Sequence, residues 1–221
     1  MAFGIIIFLG FPNTVISILD HFFTYYGLGE KYACLTADNC VGQNKNNAVL
    51  HYLLYHVLAG LHDNIELSFM IVGHTKFAPD GNEGLIQKRY RRSNIGTIED
   101  LVQTINTSSD NGHNICQRTD NNDSQPLIYR DWSSWLLNFF KKLPDITSYR
   151  NEKMVKNKPG IVFIKKTING EECEVCLQKH EIPFGKNKIF RHTEKMAPKG
   201  LSLERQWYLY EQIVRHVFLE T

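Results

Sequence analysis

Val15, Ile18, Leu19, Phe22 and Phe23 fall three and four residues apart in NTVISILDHFFTYYG. That spacing gathers them on one face of a helix, with Asn13 or Thr14 as its cap and Gly27 as its close. KYACLTA (31–37) breaks the period and is apolar on both faces, the pattern of an interior parallel strand. NKNNAVLHYLLYHVLAG returns to helical spacing through Val49, Tyr52, Leu53, His56 and Val57 and ends on Gly60. IELSFMIV (65–72) then reads as a second strand. Strand, helix and strand in this order predict a βαβ unit whose two strands point the same way.

Beyond residue 90 the signals are more local. Thr97 and Asp100 make a capping-box pattern for a helix through about Ile105. Residues 107–126 are rich in Ser, Asn and Asp and read as a surface loop. DWSSWLLNFFKKL predicts a helix capped by Asp131 that buries Trp135, Leu136, Phe139 and Phe140. KPGIVFIKKTINGEECEVCLQK predicts a β-hairpin, with Asn169 and Gly170 supplying positive φ angles at its turn. LSLERQWYLYEQIVRHVF closes the chain as an amphipathic helix, and no internal repeat is visible.

At 221 residues the chain is long enough for a proper core, and its 43% hydrophobic content is that of a globular protein. A formal charge of +2 gives no general sign of nucleic acid, so any such signal must be local. Five cysteines with one close pair point to a reducing, intracellular compartment, nuclear or cytoplasmic, rather than to a disulfide scaffold. FGIIIFLGF (3–11) falls far short of the roughly 20 apolar residues that span a bilayer. It also lacks the features of a signal peptide, so no membrane role is expected.

Chemistry concentrates where the predicted strands end. In a parallel sheet, functional groups collect at the carboxyl ends. Asp38 follows the first strand and His74 the second, while Asp80 and Glu83 open a short helix that runs into QKRYRR. The expectation is that Asp38, His74 and Asp80 converge on one edge. Asp38 reads either as a helix cap or as a carboxylate for metal or proton chemistry. His74 reads either as a strand-end imidazole bonded to a carbonyl or as a catalytic group. Lys88, Arg89, Arg91 and Arg92 around Tyr90 are either a solvated helix face or a phosphate-binding patch. Cys173 and Cys176, with His180 nearby, lack the second ligand pair of a structural zinc site, and ordinary packing is the expectation. Trp132, Trp135 and Trp207 read as core or interface aromatics.

ADNCVGQNKNN, ELSFMIVGHTKFAPD, DWSSWLLNFFKKLPDI and APKGLSLERQWYLY resemble an uncharacterised eukaryotic domain of transposon-derived proteins in animals and fungi. Such domains look like RNase H-fold transposase cores of the DDE/DDD class. The resemblance implies that Asp38 is the carboxylate ending the fourth strand of that fold and Asp80 the last carboxylate, together holding Mg²⁺ or Mn²⁺. It also implies DNA as the partner of the parent element. Gln43, Asn44 and Lys45 would orient water or contact phosphate, or equally just solvate the edge, and Lys76 with the QKRYRR cations would bind nucleic acid. Glu83 departs from the family pattern and stands as a substitute carboxylate. No acid precedes Asn13 to match the first-strand carboxylate, and neither Asp20 nor Asp63 is placed to replace it.

The expectation is therefore an α/β chain. Residues 1–12 form a divergent N-terminus, and 13–106 the helix–strand–helix–strand–helix half of an RNase H-like fold. A polar loop covers 107–130, and 131–221 form a C-terminal α+β extension containing the hairpin and packed on the same domain. Functionally, the reading is a transposon-derived integrase or nuclease fragment, inactive in truncated form and prone to self-association through an exposed sheet edge. Two alternatives stand beside it: an active Mg²⁺-dependent nuclease completed by another segment or chain, and a domesticated nucleic-acid- or protein-binding module.

Overall fold

The structure, a computed structural model, describes residues 11–71, 78–118, 125–179, 193–196 and 202–217. The fold is α/β, as the alternating periods predict. Its elements run α1 (Pro12–Tyr25), β1 (Tyr32–Ala37), α2 (Asn47–Leu58), β2 (Asn64–Phe69), α3 (Ala78–Tyr90) and α4 (Ile98–Asn106). They continue with α5 (Trp132–Leu136), a 3₁₀ turn at Ile146–Ser148, β3 (Asn151–Val155), β4 (Ile161–Lys165), β5 (Cys173–Cys176) and α6 (Leu203–Val217). The chain divides into two compact units. A sheet unit comprises residues 5–76 and 118–196, and a helical unit comprises 1–4, 77–117 and 197–221.

In the sheet unit five strands form one open sheet in the order β1-β2-β3-β4-β5. β1 and β2 are parallel, with Leu35 opposite Leu67 and Ala37 opposite Phe69. β3 then joins β2 antiparallel, pairing Leu67 with Glu152, and β4 and β5 continue antiparallel as the expected hairpin. β3 is an addition to the sequence reading. Its inward positions are Glu152 and Met154, and an acid on the apolar side hides the period-two signal.

Helices α1, α2 and α5 build the core with one face of the sheet. Ile16, Leu50, Leu53, Leu54, Ile65, Trp132, Leu136, Phe140 and Met154 are wholly buried there. α2 lies over β2 and β3, which leaves β1 less covered. Exposed and half-buried residues alternate along β1, rather than both its faces being buried. It is the terminal strand of the described sheet, so its outer rows lack the neighbour that would enclose them.

Several local signals act differently from their sequence reading. Asn13 does not cap α1, whose cap is Phe11 with Pro12 in the first turn. Instead the Asn13 amide donates to Asp131 at 2.9 Å and its oxygen accepts from the Ser133 backbone N–H at 2.8 Å, joining the starts of α1 and α5. The 131–143 helix stops at Leu136, because the chain leaves helical geometry to bridge Phe140 against Gln178. Asp131 caps it as expected, and Thr97 and Asp100 complete the capping box of α4. The hairpin turn at 167–170 closes with Gly170 N–H donating to the Thr167 carbonyl at 3.0 Å, and neither Asn169 nor Gly170 takes a positive φ. Glycine is required there for room, since a Cβ at Gly170 would sit 2.7 Å from Thr167 Oγ1.

The helical unit carries α3, α4 and α6, with α3 packed on α4. Asn114 anchors the loop after α4, donating to Ser108 Oγ at 2.8 Å and to the Asn82 carbonyl of α3 at 3.3 Å.

Gly160, between β3 and β4, has φ of 76°, and a Cβ there would run into the Gln178 side chain. Gly160→Ala combines left-handed strain with that clash, and we expect it to cost about 2 kcal/mol in chemical denaturation. A loss below about 0.5 kcal/mol would show that this turn tolerates a side chain.

Candidate functional site

At the carboxyl end of the parallel pair, the chain between β1 and α2 folds into a tight turn. The backbone N–H groups of Gln43, Asn44 and Lys45 all point to the Cys40 carbonyl, at 3.1, 2.8 and 3.1 Å. Asp38 stabilises this turn rather than the helix. Its Oδ1 accepts from Cys40 N–H at 2.9 Å and from the Asn44 amide at 2.8 Å. Asn46 is the cap of α2, accepting from the N–H groups of Ala48 and Val49, while its own amide donates to the Gln43 carbonyl at 2.9 Å. Asn47 takes the Leu143 N–H at 2.6 Å. Asn39 donates to the Met70 carbonyl at the end of β2, and Arg150 reaches the same carbonyl at 3.1 Å. The side chains of Asn39, Asn46 and Asn47 thus satisfy backbone groups around the turn, while Asn44 holds Asp38.

Beneath the turn lies a pair that sequence reasoning missed. Lys45 is only 3% exposed, and Glu152 is fully buried. The Lys45 ammonium donates to Asn39 Oδ1 at 3.0 Å and sits 4.8 Å from the centre of the Phe69 ring. Neither carboxyl oxygen of Glu152 has a hydrogen-bond partner. Burial pushes the Glu152 carboxyl up to about 8, with the positive charge of Lys45 acting in the opposite sense. Burial also lowers Lys45, as does the nearby Arg150, while Glu152 opposes that shift. The only sequence signal for Glu152 was its alternation with Met154 in NEKMV.

The predicted site residues separate into three groups. Asp38, Gln43, Asn44 and Lys45 are together at this edge, half-buried or buried. Asp38 Oδ2 makes no hydrogen bond among the described residues. Asn44 is committed to Asp38 and Lys45 to the interior. His74 and Lys76 lie outside the described residues. Asp80, Glu83, Lys88, Arg89, Arg91 and Arg92 belong to the helical unit. There Asp80 opens α3, Glu83 accepts from the Gln87 amide at 3.0 Å, and the four cations are exposed without ion pairs among the described residues. Asp63, at the amino end of β2, pairs with Lys156 at 2.9 Å. Cys173 and Cys176 stand three residues apart on the extended β5, which turns their side chains to opposite faces of the sheet. Trp132 is core, Trp135 is half-buried, and Trp207 is exposed and stacks on Tyr210.

Mg²⁺ prefers octahedral oxygen ligands and commonly takes one or two carboxylates plus water or phosphate. Asp38 fits as one such ligand. Among the described residues no three His, Cys, Asp or Glu side chains are placed to hold a metal ion, so a two-ion site cannot be assembled from them.

The buried Glu152 carries a pH signature of known sign. Its folded value is raised from 4.5 to about 8, so the folded chain holds a proton that the unfolded chain releases, and stability falls as pH rises through that window. His51, His56 and His62 act oppositely: burial lowers all three from 6.5, His51 to about 4 and His56 to about 3, so their contribution is still growing at pH 6.5 and levels off about one unit higher. The difference between wild type and Glu152→Gln isolates Glu152 between pH 6.5 and 8, because the histidines are common to both proteins. We expect urea denaturation to show the stability of wild type relative to Glu152→Gln falling by about 2 kcal/mol over this range. Parallel profiles for the two proteins would show that Glu152 is ionised in the fold.

Among the described residues no helix is long and apolar enough to cross a membrane. No curated protein and no solved structure matches the chain. Residues 12–169, more than half of the 221, match DUF7869, a domain of unknown function, and run from α1 through β4, with α3 and α4 of the helical unit between. The chain, with its Asp38 turn and mixed five-stranded sheet, belongs to the DUF7869 family.

Proposed function

We propose that this protein is a transposon-derived, RNase H-like integrase or nuclease core that, as the 221-residue chain, binds nucleic acid without cutting it. The observation that carries the reading is the position of Asp38. It follows the first of two parallel strands joined through α2, with one oxygen fixed by Cys40 and Asn44 and the other without a hydrogen bond among the described residues. A fixed carboxylate at a parallel-strand end is what a phosphodiester-processing metal site needs from this element. Lys88, Arg89, Arg91 and Arg92, exposed beside Tyr90 and without ion pairs among the described residues, support a phosphate-binding surface. Lys88 and Arg89 also complement the carboxyl end of α3, so their charge has a structural use as well. Binding without cutting is the expectation because, among the described residues of the sheet unit, Asp38 has no second acid beside it, and one carboxylate does not bridge two divalent ions against their mutual repulsion.

Nucleic-acid binding and cleavage are separable by experiment. We expect the chain to bind DNA in fluorescence anisotropy with a steep salt dependence. Replacing Lys88, Arg89, Arg91 and Arg92 together by Ala should lower the log–log salt slope by about 3. Incubation with Mg²⁺ or Mn²⁺ should leave supercoiled plasmid intact. Metal-dependent nicking that disappears in Asp38→Asn would establish an active nuclease instead. A chain that shows no salt-sensitive DNA binding would remove the nucleic-acid reading and leave a protein-binding module.

A further inference from the structure

A second concave site lies on the sheet unit, away from the Asp38 turn. A cavity of about 200 Å³ opens between one face of α1 and the segment before α5, lined by Asp20, His21, Thr24, Tyr25, Ile128 and Arg130 among others. It is too small for a nucleotide cofactor and large enough for one ring system. Asp20 and Arg130 put opposite charges on its wall, and each is held in place. The Tyr52 hydroxyl donates to Asp20 Oδ1 at 3.1 Å. Arg130 donates through its guanidinium to the Thr193 carbonyl at 3.0 Å and through its backbone to Ser17 Oγ at 3.1 Å. The rest of the lining is mixed: the rings of His21 and Tyr25 lie 4.8 Å apart, Pro126 and Ile128 are apolar, and the hydroxyls of Ser17 and Thr24 are engaged with the Arg130 N–H and the Asp20 carbonyl.

Charge selects the ligand class. An anion would meet the Asp20 carboxylate, and a cation would meet the Arg130 guanidinium, each at an electrostatic cost in a partly desolvated site. A neutral molecule with adjacent donor and acceptor satisfies both, giving an N–H to Asp20 and accepting from Arg130. We infer that this cavity binds a neutral planar heterocycle with an N–H donor beside a carbonyl or ring-nitrogen acceptor, the chemistry of a nucleobase. Burial raises Asp20 to about 6, with Tyr52 and Arg130 opposing the shift, so near neutral pH the carboxyl is available as acceptor. The inference does not rest on DNA binding by the α3 cations, because a free nucleoside and an unstacked base of a single strand offer the same edge.

The test is saturation-transfer NMR on the 221-residue chain, with the four ribonucleosides, a short single-stranded oligonucleotide, and benzoate and benzylamine as charged controls. At least one nucleoside should saturate with a dissociation constant on the order of 1 mM. Asp20→Asn, which keeps an oxygen for Tyr52, should weaken that nucleoside about tenfold. Ile128→Trp should abolish binding by filling the cavity without touching a polar group. Tighter binding of the oligonucleotide that is lost in Ile128→Trp would identify a strand base as the source, and equal loss for nucleoside and strand a free base. Failure of every nucleoside to saturate would overturn the inference. So would equal binding of either charged control, or undiminished binding by both folded variants.

Discussion

One constraint organises the sheet unit: where β1 gives way to α2, backbone groups leave the sheet in a partly buried setting and must find new partners. Asp38, Asn39, Asn46 and Asn47 supply them, each to a different target, and Asn44 braces Asp38 from the side. The turn in turn fixes where α2 begins, and α2 covers β2 and β3 with the apolar residues that make the core. The same bonds hold the Asp38 carboxylate in one orientation, so structural need and any chemistry at this edge draw on the same side chains. A residue can cap a turn with one oxygen and still offer the other.

Glu152 and Lys45 give that corner an unusual interior. A buried carboxyl without a hydrogen bond is destabilising when ionised, and a neighbouring lysine offsets only part of that cost. The pairing arises from the topology. β3 runs antiparallel beside β2 and places Glu152 opposite Leu67, on the side that α2 covers. Lys45 comes in from the turn above, between Asn39 and Phe69. Its charge thus acts on the geometry of the turn, whereas Lys88, Arg89, Arg91 and Arg92, at and just past the end of α3, are exposed. The Asp20 cavity is a third polar setting, with its two charged groups tethered by Tyr52 and Thr193.

The parallel pair β1–β2 with α2 between them was legible in the sequence, because hydrophobic period and the stops at Asp38 and Gly60 are local properties of the chain. So were the capping box at Thr97, the cap at Asp131 and the β4–β5 hairpin. β3 was not legible, since an acid at one of its two inward positions disguises the alternation. The length of α5 was not legible either: helical spacing continues past Leu136, but pairing between Phe140 and Gln178, 38 positions apart, pulls the chain out of the helix. Asn13 looked like a cap, and its amide serves Asp131 and Ser133, more than a hundred positions away.

For the candidate site the division is the same. Sequence alone placed Asp38 at the carboxyl end of a strand and gathered the cations at 88–92, because residue type and chain order determine both. Only the tertiary structure decided that Asn44 serves Asp38, that Lys45 points inward, and that Glu152 lies buried near it. Those outcomes depend on which distant backbone groups and charges arrive at the same place. Local pattern carries the period and the cap of an element, but the partner of a polar side chain is set by packing between elements far apart in the chain.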